Sequence, residues 1–204
     1  MSVEHVEILV EEPSMEAALR PLLPKVLGST SFQVYPSQGK HDLLKRLEER
    51  LRGYSRWLPA NWRIMVVVDR DNDSCRNVKT DLENKAARAF LTTRSATSGG
   101  RYQVVNRLAI EELEAWYFGD WDAVRAAYPK APPTIPSRAK YRNPDTIRGG
   151  TWEALERILQ RAGYFRGGLR KIEAARAVAP HMTPEQNRSK SFQVFHAALR
   201  EMAS

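Results

Sequence analysis

The segment Ile64-Met65-Val66-Val67-Val68 restricts the fold of this 204-residue chain more than any other part of the sequence. An unbroken apolar run rich in β-branched residues favours a strand that is buried on both faces, which is typical of parallel sheets covered by helices. Because further strands and helices alternate along the chain, the sequence predicts an α/β fold with a mainly parallel sheet flanked by helices. The other strands are predicted over 6–10, 32–35 and 102–110, and helices over 14–23, 41–52, 77–91 and 111–117.

The chain changes character after residue 128. Five prolines interrupt residues 129–150, and a proline breaks both helices and central strands. The spacing of apolar residues again predicts helices over 151–162, 169–178 and 191–202. We therefore predict an α/β domain over 1–128 and, packed on it, a basic Pro-rich loop with a small helical extension over 129–204.

Positive charge is concentrated in the second half of the chain. The formal net charge is +8, whereas residues 129–200 alone carry 14 Lys and Arg against 5 Asp and Glu, a balance of +9. A basic region beside a nearly neutral one favours a polyanionic partner, and we expect a nucleic acid, either DNA or RNA. An ordinary arginine-rich surface is the alternative, because net charge restricts partners only loosely.

Composition also bears on the cellular compartment. No apolar run approaches the roughly 20 residues that a membrane-spanning helix needs, and the first residues lack the basic-then-apolar plan of a signal peptide. The single cysteine, Cys75, cannot form an internal disulfide, which fits a reducing compartment. We expect a cytoplasmic protein without a membrane segment, and the oligomeric state stays open.

Carboxylates follow three of the predicted strands at the points where these strands end. Because the carboxyl ends of parallel strands meet at one edge of a sheet, we expect these side chains to gather there. A hard cation such as Mg²⁺, or Mn²⁺ in its place, relieves the repulsion between gathered carboxylates. The group comprises Glu11, Glu12, Asp69, Asp71, Asp73, Glu111, Glu112 and Glu114.

Within this group, spacing separates candidate ligands from other roles. Residues two apart in an extended segment project the same way, so Asp69 and Asp71 can grip one cation, and Asp73 extends the pattern. With Glu11, they are the candidate metal ligands. Glu114 falls at the edge of the apolar face of its predicted helix, where a carboxylate needs a partner, and is a candidate catalytic residue.

Three short motifs resemble a bacterial Toprim-like family catalogued as domain of unknown function 4276. The motifs are ILVEEPS at 8–14, VVVDRD at 66–71 and AIEELEAW at 109–116. The strand–Glu, helix, strand–Asp-x-Asp order is similar to the Toprim domains of topoisomerases, primases and overcoming-lysogenization-defect nucleases. Asn143-Pro144-Asp145 and Ser189-Lys190-Ser191-Phe192 also resemble segments of that family.

The resemblance implies a Toprim-type fold and Mg²⁺-dependent phosphodiester chemistry. It assigns Glu11 as the general acid/base and Asp69 and Asp71 as metal ligands, and Glu114 matches the family's Glu-Ala-Trp element. It also implies an ATPase partner protein and a role in defence against phage. The chain departs from the Toprim pattern at Glu12, where a glycine usually follows the first glutamate.

Basic and hydroxyl side chains supply candidate contacts to nucleic acid, because cations beside glycines and aromatic rings suit phosphates and bases. His41, which follows Gly39-Lys40 near the strand ends, is a candidate catalytic helper. A solvated surface is the alternative for the cations, and a plain helix N-cap is the alternative for the serines. The candidate contacts are Lys40, Arg138, Lys140, Arg142, Arg148, Arg170, Lys171, Arg188, Ser189 and Lys190.

The carboxylate cluster and the basic region predict a metal-dependent protein that acts on nucleic acid. The resemblance further implies a Mg²⁺-dependent nuclease of Toprim-like fold that is the effector of an ATPase-linked antiphage system. The first alternative is a non-catalytic module of the same fold that binds nucleic acid or a partner protein, and Glu12 in the glycine position favours it. The second alternative is a metal-dependent phosphotransferase or small-molecule hydrolase, which would lack the steep salt dependence of nucleic-acid binding.

Overall fold

A four-stranded sheet organises the part of the chain that the computed structural model describes, residues 2–71 and 73–203. All three strand pairs are parallel, and the strand order is β2-β1-β3-β4. The predicted α/β class with a mainly parallel sheet is confirmed, and this architecture is consistent with a Toprim-like fold. The strands are β1 (His5–Val10), β2 (Ser31–Pro36), β3 (Trp62–Asp69) and β4 (Val104–Ala109).

Helices cover both faces of the sheet, as the apolar run in β3 predicts. Alternate strand residues point to opposite faces: Met65 and Val67 lie in one apolar cluster, and Val66 lies in the other. The helices are α1 (Pro13–Leu27), α2 (Lys40–Tyr54), α3 (Cys75–Arg88), α4 (Glu114–Gly119), α5 (Trp121–Ala127), α6 (Thr151–Arg161), α7 (Lys171–Val178) and α8 (Lys190–Ala203).

The two layers differ in size. Helices α2 and α3 cover one face with leucines such as Leu47 and Leu82, whereas α1 and α4–α8 pack on the other. Each fully buried leucine of this kind contributes about 1.5–3 kcal/mol of stability. One apolar cluster extends from Val6 to Met202, so the boundary after residue 128 stays a prediction. No helix of the described residues has the length and apolar character needed to cross a bilayer.

The connection after β4 differs from the prediction. The strand ends at Ala109 and α4 begins at Glu114, not at Glu111. Residues 110–113 instead form a turn, because the backbone N–H of Asp71 donates to the carbonyl of Glu111 at 2.8 Å and holds it against the end of β3. Helix α5 follows α4 almost directly and was absent from the sequence prediction.

Segment 129–150 is irregular, as its prolines predict, and contains the short 3₁₀ turns Ile135–Ser137, Ala139–Tyr141 and Pro144–Thr146. Its end is attached to α8 through Asp145. The carboxylate of Asp145 accepts hydrogen bonds from the hydroxyl of Ser189 at 2.7 Å and from the backbone of Ser191 at 3.0 Å. The start of α8 is therefore capped by a side chain from this segment.

Helix α6 is tied to the end of the sheet by Glu112. The Oε2 atom of Glu112 accepts from the backbone N–H groups of Thr151 and Trp152, at 3.1 and 3.0 Å, and from the Thr151 hydroxyl at 2.9 Å. These are the first residues of α6, whose N–H groups have no partners inside the helix. A carboxylate is also favoured by the partial positive charge at this end of a helix. Glu112 therefore fixes α6 beside the carboxyl edge of the sheet.

We expect Glu112→Ala to lower the free energy of unfolding by about 2 kcal/mol, because three donors lose a charged acceptor. Chemical denaturation followed by circular dichroism measures this change. Glu112→Gln keeps one acceptor oxygen and is the matched control, with a smaller loss. Equal stability of the alanine variant and the wild type would show that Glu112 does not anchor α6.

Candidate functional site at the carboxyl edge of the sheet

Strands β1 and β3 are neighbours, and the chain leaves them towards opposite faces of the sheet. Helix α1 follows β1 and packs on one face, whereas α3 follows β3 and packs on the other. Such a switch point leaves a crevice at the carboxyl ends of the strands, where α/β proteins bind their ligands. Glu11 immediately follows β1, and Asp69 is the last residue of β3. The topology therefore places these two carboxylates side by side.

Glu11 is held in this crevice by the backbone of β3. Its Oε2 atom accepts a hydrogen bond from the N–H of Asp69 at 3.1 Å. The pKa of Glu11 is raised to about 7, mainly by burial. The Asp69 N–H and Lys40 lower it, and the charges of Asp71 and Glu12 raise it. A carboxyl group with a pKa near neutrality can both accept and donate a proton.

Asp69 is almost completely buried, with 4% of its surface exposed. Burial raises its pKa well above the ordinary value, and repulsion from Glu11 and Glu114 adds to this effect. Its Oδ1 atom has no hydrogen-bond partner among the described residues. Since a buried carboxylate oxygen without a partner is costly, Asp69 presents an open acceptor to whatever occupies the crevice.

Glu114, in the first turn of α4, extends the cluster below the surface. It is 1% exposed, burial raises its pKa to about 7, and Lys171 only partly offsets the effect. Its Oε2 atom and the hydroxyl of Tyr117, one turn later, have no hydrogen-bond partners within the described residues. Burial also raises the pKa of Tyr117, and the charges of Glu114 and Asp69 raise it further. The buried end of the site thus contains polar atoms whose hydrogen-bonding capacity is not satisfied by the described residues.

The sequence does not mark Tyr117 as a site residue, because its position four residues after Leu113 and three after Glu114 equally fits an apolar helix face. The i, i+3 relation to Glu114 is the signal in the sequence, since these positions share one face of a helix. Only the position of α4 relative to β3 shows that this face meets Asp69 and not a purely apolar layer.

Asp71 and Asp73 interact with Lys40, the first residue of α2. The Lys40 ammonium donates to Asp71 Oδ2 at 3.0 Å and to the Arg70 carbonyl at 2.9 Å, and it lies 2.7 Å from Asp73 Oδ2. Asp71 adopts the left-handed conformation with φ of 51°, which non-glycine residues rarely adopt outside constrained sites. Lys40, predicted to contact nucleic acid, is therefore the counter-ion of the Asp-x-Asp motif in this structure.

Lys171, at the start of α7, approaches the cluster from the opposite side. Its ammonium lies 3.7 Å from Glu12 Oε1. Burial alone would lower the pKa of Lys171, but the charges of Glu114, Glu12, Glu112 and Asp69 raise it above the ordinary value. Lys171, predicted as a nucleic-acid contact, thus faces the carboxylates.

Within the described residues, the other predicted residues form no hydrogen bond or ion pair with the carboxylates of this cluster. His41 is exposed on α2, and Ser189 is buried, with its hydroxyl bonded to Asp145. Arg170 forms an ion pair with Glu173 at 2.8 Å. The remaining candidate contacts are exposed: Arg138, Lys140, Arg142, Arg148, Arg188 and Lys190.

A cleft of about 790 Å³ opens beside Asp71. Arg70 and Glu111, which form an ion pair, line one wall, and Arg148, Gly149 and Gly150 line the other. Both glycines have positive φ angles, 77° and 80°, which glycine adopts without strain. At Gly150 a Cβ atom would also meet the carboxylate of Glu153, the end of a flexible side chain that would have to move. The cleft therefore depends on glycine at this bend.

The site has the oxygen donors that a hard divalent cation prefers, including the unpartnered buried oxygens of Asp69 and Glu114. Among residues 2–71 and 73–203, no three His, Cys, Asp or Glu side chains are arranged so as to hold a metal ion. Asp71 and Asp73 are turned towards Lys40 instead. Carboxylate oxygens of this kind are ligands that Mg²⁺ and Mn²⁺ prefer.

Comparison with protein families gives a match to the model described as a domain of unknown function, DUF4276, over residues 10–200. No curated protein and no solved structure matches the chain. The family match spans all four strand ends and the C-terminal helices, and thus the whole candidate site. The chain therefore belongs to the DUF4276 family.

Proposed function

We propose that this protein is a Mg²⁺-dependent, Toprim-like nuclease that hydrolyses a phosphodiester bond of DNA or RNA. The observation that carries the proposal is the convergence of Glu11, Asp69 and Glu114 at the switch point, with open oxygens and pKa values raised by burial. Strongly perturbed carboxylates in a crevice are typical of active sites. The order of the motifs along the chain supports the Toprim relationship.

In this mechanism Glu11 moves the proton. Its pKa of about 7 allows it to accept a proton from an attacking water near neutral pH, and the N–H of Asp69 fixes its orientation. Asp69 and Asp71 would hold the cation, with Glu11 and Asp73 as further ligands. A bound divalent cation supplies charge stabilisation on the phosphate and acidifies water.

The cost of burying Glu114 supports a functional role for this residue. A carboxyl group whose pKa is raised in the folded state destabilises the protein when it ionises. Among residues 2–71 and 73–203, Glu114 Oε2 has no hydrogen-bond partner that would compensate for this loss, and Lys171 compensates only through its charge. We infer that the residue completes the environment of Asp69 and, with it, the site for the cation.

The basic region and the resemblance extend the proposal to partners. Of the exposed cations over 138–148, Arg148 lines the cleft. We propose that this group of cations holds the nucleic-acid backbone. From the resemblance we propose that the protein acts in the cytoplasm as the effector of an ATPase-linked system that defends against phage.

A non-catalytic binding module is the second candidate function, and Glu12 favours it. Glu12 replaces the glycine usual in Toprim motifs, accepts a hydrogen bond from Ser14 and pairs with Lys171. A side chain at this position restricts the approach of a phosphate. Incubation of the purified protein with plasmid, single-stranded DNA and tRNA separates the two candidates, because only a nuclease cleaves them with Mg²⁺ or Mn²⁺ and not with chelator.

We expect Asp71→Ala to reduce Mg²⁺-dependent cleavage by at least about 100-fold, because the metal loses a ligand and the reaction loses charge stabilisation. Folding should be unaffected, since 42% of the Asp71 side chain is exposed. The initial rate of cleavage of a labelled oligonucleotide measures the effect. Asp81→Ala, on the outer side of α3, is the matched control. Cleavage at the wild-type rate by the Asp71 variant would remove this residue from the mechanism.

We expect Glu114→Gln to stabilise the protein at pH 8 by about 2–3 kcal/mol and to have little effect at pH 4.5. The pKa of Glu114 is about 7 in the folded protein against 4.5 ordinarily. The wild type therefore loses stability as the pH rises from about 4.5 through 7, and a neutral amide avoids that loss. Denaturant titrations at both pH values measure it, with the exposed Glu49→Gln as control. A pH-independent difference would contradict the assignment.

A further inference from the structure

The segment Thr146–Arg148 separates two cavities. On one side lies the cleft of about 790 Å³ beside Asp71, and on the other lies a cavity of about 450 Å³. Thr146, Ile147 and Arg148 line both. Both volumes fall within the range of about 300–1,000 Å³ that is typical of ligand sites. An extended ligand that lies in the first cleft and continues past this segment therefore reaches the second cavity.

The two cavities carry opposite charge. The residues of the first cleft include the carboxylates of Asp71, Glu111, Glu112 and Glu153 and only two cations, Arg70 and Arg148. The residues of the second cavity include three cations and no carboxylate. These cations are Lys140, Arg148 and Arg157. We call the second cavity the basic cavity.

The three cations of the basic cavity are not neutralised by the protein. All are exposed, and within residues 2–71 and 73–203 none forms an ion pair or donates a side-chain hydrogen bond. The ammonium of Lys140 lies 4.6 Å from the ring centre of Tyr141, which is itself buried against Phe118. Like charges held together without counter-ions attract anions.

Arg157 belongs to this cavity through the geometry of α6. Glu153 and Arg157 are four residues apart, so they project from the same face of the helix. Glu153 lines the acidic cleft and Arg157 lines the basic cavity. Because Glu112 holds the start of α6 at the edge of the sheet, this helix fixes the two cavities relative to each other.

We propose that the basic cavity binds a phosphate group of a polynucleotide strand whose neighbouring phosphate lies over the carboxylates. This inference rests on the proposed function, because it places cleavage at the carboxyl edge of the sheet, whose Asp71 lines the acidic cleft. A polynucleotide carries a phosphate on every residue, so one strand satisfies both cavities, the acidic one through a cation. An acidic peptide fits less well, because its carboxylates lack the affinity of phosphate for a carboxylate-bound Mg²⁺.

The test measures binding and cleavage separately. The full-length Lys140→Gln/Arg157→Gln variant is titrated with a labelled single-stranded oligothymidylate in chelator, between about 50 and 200 mM salt. The logarithm of the binding constant falls with the logarithm of salt by about 0.7 per contacted phosphate for single strands. We expect the slope of the variant to be less steep by about 1.4, since two cations are lost. Arg125→Gln/Arg176→Gln, on a different face, should keep the wild-type slope.

Cleavage of bis(p-nitrophenyl) phosphate, a diester too small to span both cavities, is the second readout. The Arg125→Gln/Arg176→Gln control should cleave it at the wild-type rate. If the Lys140/Arg157 variant has the same salt dependence as the control variant, or if the wild type does not bind the oligothymidylate in chelator, the proposal that the basic cavity binds phosphate is wrong. A less steep salt dependence of the Lys140/Arg157 variant, together with no cleavage by the wild type or either variant, would support the basic cavity and reject the hydrolytic function. Cleavage by the wild type with an unchanged salt dependence of the Lys140/Arg157 variant would support the hydrolytic function and reject the basic cavity.

Discussion

The adjacency of β1 and β3 in the parallel sheet is the constraint on which the whole site depends. It aligns Val10 with Val67, so that Glu11 and Asp69 emerge together and the N–H of Asp69 reaches the Glu11 carboxylate. Both strands are buried on both faces, and water therefore has little access to the acids at their ends. Burial is the main cause of the raised pKa values of Glu11 and Asp69. Repulsion from Asp71 and Glu12 also raises the pKa of Glu11, and repulsion from Glu11 and Glu114 raises that of Asp69. The same packing that stabilises the sheet thus perturbs the chemistry at its edge.

Two lysines balance this negative charge from opposite sides. Lys40 binds Asp71 and Asp73, while Lys171 faces Glu12 and Glu114. Neither forms a close pair with Asp69, whose Oδ1 atom stays unpartnered within the described residues. The periphery of the site is therefore neutralised by protein cations, and its centre is not. A divalent cation would find its strongest attraction at that centre.

Short-range patterns in the sequence predict much of the fold. The apolar run before Asp69 predicts a buried parallel strand, and the helical position of Glu114 beside an apolar face predicts its burial. Contacts between distant segments leave no such pattern. The bonds from α6 to Glu112 and from Ser189 to Asp145 join residues about 40 positions apart, and each residue alone reads as a plain cap or surface group. The sequence predicts Lys40 as a nucleic-acid contact for the same reason. Its pairing with Asp71, 31 positions away, depends on where α2 starts.

The attachment of α6 to Glu112 has a consequence for communication within the molecule. One carboxylate joins the turn after β4 to a helix that carries a wall of each cavity. Because α6 is one helix from Thr151 to Arg161, a shift of that turn would move Arg157 with it. Coupling of this kind is reciprocal by thermodynamic necessity. If the proposed strand and cation bind, the strand at Arg157 would therefore alter the affinity of the sheet edge for the cation by the same factor that the cation alters the affinity for the strand.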